Sequence, residues 1–72
     1  MNAYEFGQRI KARRLELRLG QKDLGNALGL DQGKISLLEK GARRVDVATE
    51  LPLLCTALNW AIPEFLCEEA YL

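Results

Sequence analysis

The stretch QKDLGNALGLDQGKISLLEKG at residues 21–41 decides how this sequence folds. Leu24 and Leu28 form an apolar pair at i, i+4, the spacing of one helical face, which predicts a short helix over about 21–28. Gly29 follows as a natural stop, because glycine takes the left-handed turn at a helix end without a Cβ clash. Leu30 is then expected to be buried inside the turn. Asp31 is expected to cap a second helix over 32–40, with Ile35 and Leu38 pointing inward and Gly41 closing it. Two helices of about eight residues, joined by so short a turn, must cross steeply. That leaves the second one proud of the surface.

Helical signals continue on both sides. Asn2 with Glu5 three residues on resembles a capping box, and Phe6, Ile10 and Leu17 recur on one face of a first helix that Gly20 is expected to end. After Gly41 comes a basic loop, Ala-Arg-Arg-Val-Asp-Val, and then a fourth helix carrying Leu51, Leu54, Cys55 and Leu58. Pro52 would break that helix if Asp46 were its cap, at a cost of ~3 kcal/mol. With Thr49 as the cap, Pro52 falls in the first turn, where its missing N–H costs nothing, and this start is preferred. Asn59 ends the fourth helix, and Pro63 opens a fifth over about 62–71. Strand alternation is absent from the sequence, so the fold class is all-α.

The chain has 72 residues and 49% hydrophobic content, enough for one domain, 1–72, with its own core. No run of 18 apolar residues is present to span a membrane, and Met1 to Arg14 lacks the apolar segment of a signal peptide. Cys55 and Cys67, with no histidine, cannot complete a zinc site, so two free thiols, no metal, no cofactor and a cytoplasmic location are expected. Without histidine, a Gly-rich phosphate loop or a nucleophile beside a base, an enzyme is not expected either.

Net charge is zero, but its distribution is polar. All ten basic residues lie before residue 45, where only five acids accompany them; residues 45–72 hold the other five acids and no base. A chain of this kind turns one end to a polyanion and keeps the other away from it.

Ile10 with Arg14, then Gln21, Leu24, Leu28 and Gly29, then Ile35, Ser36, Glu39 and Gly41 stand at the offsets of one known pattern. Over Phe6 to Leu66 the sequence resembles the phage repressor and Cro helix-turn-helix family, the lambda-repressor-like or XRE-type domain. The resemblance implies a compact five-helix domain with its helix-turn-helix at about 21–40. It also implies a transcription regulator, a repressor, that binds double-stranded DNA. Gly20, Gly25 and Gly33 depart from the family's usual residues, and the loop at 42–48 is longer than the family's by one residue and lacks its proline.

On this reading the helix at 32–40 enters the major groove. Gln32, at its first turn, can donate to and accept from adenine, and Ser36, one turn on, can bond a base or a phosphate. Leu37 lies on the outward face, where a thymine methyl would account for it, and Gly33 occupies a position that often reads a base. Gln21 opens the preceding helix, whose N–H groups favour a phosphate, and Lys34, Lys40, Arg43 and Arg44 flank the reading face as further phosphate ligands. The resemblance implies that Arg14 and Glu39 form a partly buried structural ion pair.

The acidic last third, 45–72, has 18 apolar residues of 28, more than one small monomer is expected to bury. A homodimer joined through Trp60, Phe65, Leu66, Tyr71 and Leu72 would bury the surplus and present two recognition helices to a palindromic operator. The alternative is an antitoxin or adaptor that uses the same apolar third to bind a protein partner.

Overall fold

A computed structural model describes residues 2–46 and 48–60. Four helices lie among them: α1 (Ala3–Glu16), α2 (Gln21–Leu28), α3 (Gln32–Glu39) and α4 (Glu50–Ala57). No strand is present among the described residues. The expected count of five helices stands at four among the described residues, and the segment expected to form the fifth, 62–71, lies outside them. None of the helices described is long and apolar enough to cross a membrane.

The core is assembled from one face of each helix. Phe6 and Ile10 of α1, Leu24 and Leu28 of α2, Ile35 and Leu38 of α3, and Leu51, Leu54, Cys55 and Leu58 at α4 are buried together with Val45 from the α3–α4 loop. Leu17, Leu19, Leu30 and Trp60 pack against this cluster while partly exposed. Each fully buried leucine or isoleucine contributes ~1.5–3 kcal/mol of transfer free energy. α3 packs on both α1 and α2, and α2 packs on α4. This grouping holds the outward face of α3 clear of its own core.

All four helices end in one backbone motif. The residue after each cap, or the cap itself, is left-handed: Arg18 (φ 59), Gly29 (φ 71), Gly41 (φ 77) and Asn59 (φ 52). The next N–H then bonds back five residues, as in Leu19 N–H to Arg14 O, Leu30 to Gly25, Ala42 to Leu37 and Trp60 to Cys55. These bonds satisfy carbonyls that a helix end leaves without partners. They also correct the expected end of α1, which stops at Glu16 and not at Gly20, because Arg18 takes the left-handed place. A β-carbon is strained there, so Arg18→Gly is expected to raise stability by about 1 kcal/mol, read from thermal unfolding. A lower melting temperature for this variant would contradict the strain.

The start of α4 is also corrected in part. Thr49 is the boundary residue, as its position relative to Pro52 requires, but its side chain makes no capping bond. Asp46 serves instead: its carbonyl accepts from the N–H groups of Glu50 (2.8 Å) and Leu51 (3.0 Å). The third residue of the helix is Pro52, which has no N–H to satisfy.

Candidate nucleic-acid interface

α3 is set by its ends. The Asp31 carboxylate accepts from the Lys34 N–H at 2.9 Å, capping the first turn, and Gly41 ends the last. Ile35, Leu38 and Glu39 face inward and are buried. At about 100° per residue, Gln32, Gly33, Ser36, Leu37 and Lys40 share the opposite arc. Four of them are exposed and Ser36 is half-buried. Leu37 is 46% exposed, so it is a large apolar side chain offered to solvent from a helix whose core is already filled. Lys34 stands exposed at the flank. At Gly33 an added Cβ would meet only the Asp31 carboxylate, at 3.2 Å, so the outward face has an open notch beside Gln32.

Behind this face lies a chain of polar contacts. Arg14 Nε donates to Glu39 Oε2 at 2.7 Å and Arg14 Nη2 to Glu39 Oε1 at 3.1 Å, with both residues buried. The third direction of the guanidinium is taken by the Leu19 carbonyl, 2.9 Å from Nη1. Gln21 Nε2 donates to Glu39 Oε1 at 3.0 Å, and Gln32 Nε2 makes a long 3.5 Å approach to Gln21 Oε1. The side chain of Gln21 is thus turned toward Glu39 and Gln32. One of its two amide hydrogens is left over at the start of α2. Gln8, which sequence reading overlooked, donates to the Glu39 carbonyl at 3.1 Å and fastens the last turn of α3 to α1.

The basic residues divide. Lys34, Lys40 and Arg44 are exposed around α3 and its loop. Arg43 is half-buried and forms a two-bond pair with Glu50, at 3.0 and 2.8 Å. The guanidinium holds the Glu50 carboxyl below the usual carboxylate range, and Glu50 in turn raises Arg43. The bond from the Ala48 N–H similarly lowers Asp46. Sequence reading missed Glu50 as a partner, although an acid in the first turn of the helix after a basic loop was the available signal. Arg13 is engaged at the end of α4, its Nε donating to the Leu58 carbonyl at 2.9 Å.

Of the residues expected at a dimer interface, Trp60 is partly buried against the core of its own chain. Phe65, Leu66, Tyr71 and Leu72 lie outside the described residues, as does Cys67. Cys55 is a buried free thiol, and its burial raises its pKa.

The profile of a family described as a helix-turn-helix domain matches residues 5–64, a span that takes in nearly all of α1 and the whole of α2, α3 and α4. No curated protein matches the chain.

Proposed function

The chain belongs to a helix-turn-helix domain family, and from that premise we propose that it is a sequence-specific DNA-binding transcription regulator, a repressor of the phage repressor and Cro kind. The observation that carries this reading is the outward face of α3, where Gln32, Lys34, Leu37 and Lys40 are exposed while Ile35, Leu38 and Glu39 anchor the helix from behind. An amide, an apolar side chain and flanking ammonium groups are what a major groove with adenine edges, thymine methyls and phosphates can engage. Gln32 has two amide hydrogens. One directed at Gln21 leaves the other, with the amide oxygen, for the N7 and N6 of adenine. Lys34, Lys40 and Arg44 hold phosphates beside it, and the start of α2 at Gln21 holds another. A homodimer on a palindromic operator completes the proposal, supported by the apolar surplus of residues 45–72.

Gln32→Ala is expected to cost ~1–3 kcal/mol on the preferred site and to relax base choice at one position per half-site. Gln21→Ala is expected to weaken all duplexes by a similar factor. A selection from randomised operators on both variants tests this. Unchanged base preference without Gln32 would remove that residue from the reading set, and absence of any duplex binding by the wild type would overturn the function itself.

A further inference from the structure

Arg43 stands in the basic loop directly after the groove-facing helix, where a phosphate ligand is expected, yet its guanidinium is already engaged. Both of its terminal nitrogens bond the two oxygens of Glu50, with the side chains only 26% and 12% exposed. Glu50 Oε1 also accepts from the Asp46 N–H at 2.8 Å, while the Glu50 N–H returns to the Asp46 carbonyl at 2.8 Å. Between these contacts Val45 is buried in the core. The loop's first residue, Gly41, is fixed as well, because a Cβ there would meet the Tyr4 backbone at 2.7 Å. The segment from α3 to α4 is therefore tied at both ends and across its middle.

We propose that Arg43 is a positioning residue, which staples the α3–α4 loop through Glu50 and does not act as a phosphate ligand. The inference rests on the DNA-binding reading for its second half only. A planar fork meeting a carboxylate in two parallel bonds is geometry that lysine cannot reproduce, so the pair explains an arginine at this place. The field around Arg43 is also unfavourable to a phosphate. Glu50 faces the guanidinium with both oxygens, so an approaching anion meets a charge that is already paired. Lys40, exposed on the reading arc of α3, has no such pairing among the described residues.

The test uses the full chain with a random-sequence duplex, reading log K against log salt, together with amide hydrogen exchange. Lys40→Ala is expected to flatten the slope by about 0.9, the loss of one phosphate contact. Arg43→Ala is expected to change it by less than about half of that. Glu50→Gln, which leaves Arg43 uncompensated, is expected to steepen it, and the double variant to restore the wild-type slope. Exchange at the Asp46 and Glu50 amides should speed up at least about tenfold in both Arg43→Ala and Arg43→Lys, since a lysine keeps the charge but loses the fork. A slope loss in Arg43→Ala equal to that of Lys40→Ala, or exchange unchanged in both Arg43 variants, would overturn the proposal. If the wild type binds no duplex at any salt, the DNA reading fails by itself. Amide exchange then decides the staple alone, with acceleration supporting it and no change rejecting it.

Discussion

Substituting Glu39→Ala is expected to remove about 3–5 kcal/mol of folding stability, the cost of leaving one member of a buried ion pair without the other. Arg14 is 6% exposed and Glu39 2%, so water cannot replace the lost carboxylate without the helices parting. The Leu19 carbonyl would remain on Nη1, but Nε and Nη2 of Arg14 and the amide of Gln21 would all lose their acceptor. A domain of this length holds roughly 4–11 kcal/mol in total. The variant should therefore melt on the order of 15 °C or more below the wild type. Replacing both partners together, Arg14→Met with Glu39→Leu, should cost far less, because no charge is stranded. Chemical denaturation of the single and double variants separates these cases. A loss below about 0.5 kcal/mol in Glu39→Ala would mean that solvent reaches the guanidinium and the pair acts as a surface contact.

The same pair shows how fold and candidate site are joined. Glu39 holds Arg14 from α1 with both oxygens and accepts from Gln21 at the start of α2, and Gln21 is in turn approached by Gln32. Losing Glu39 should therefore blur the orientation of the Gln32 amide even in the fraction that stays folded.

What was legible in the sequence is what depends on near neighbours in the chain. The Leu24 and Leu28 pair, Gly29, the Asp31 cap and the inward Ile35 and Leu38 all act within one or two helical turns, and they sit where local chemistry puts them. The end of α1 is not legible locally, because glycine is the usual left-handed residue whereas the chain places Arg18 there, two residues before Gly20. The entry to α4 was half legible: Pro52 dictates where the helix can begin, but the group that satisfies its first N–H groups is a backbone carbonyl, which carries no sequence signal. On the candidate site, the outward arc of α3 follows from helical periodicity alone. The engagement of Gln21 with Glu39, and of Arg43 with Glu50, depends on three-dimensional approach across 18 and 7 residues, which local pattern does not encode.

Gly7 is the position where local and tertiary reasoning give opposite signs, and the tertiary effect is expected to win. It lies in the body of α1, where alanine is ordinarily better than glycine by about 1 kcal/mol. A Cβ at Gly7, however, would meet the carbonyl oxygens of Leu38 and Glu39, the latter at 2.5 Å, and the Glu39 carbonyl carbon at 2.7 Å. These are backbone atoms of the last turn of α3, so no flexible side chain can swing aside. Either α1 or α3 must shift as a body, which would also pull Gln8 from the Glu39 carbonyl beside it. Overpacking of this kind costs ~1–3 kcal/mol and more where the backbone itself must move, so Gly7→Ala is expected to lose about 3 kcal/mol net. Ala12→Gly, at an exposed position of the same helix, is the control and should lose only about 1 kcal/mol from helix propensity. Urea unfolding of the two variants compares them directly. A Gly7→Ala protein as stable as the wild type would mean that α1 and α3 do not approach so closely, and that the end of α3 is not held by backbone contact with α1.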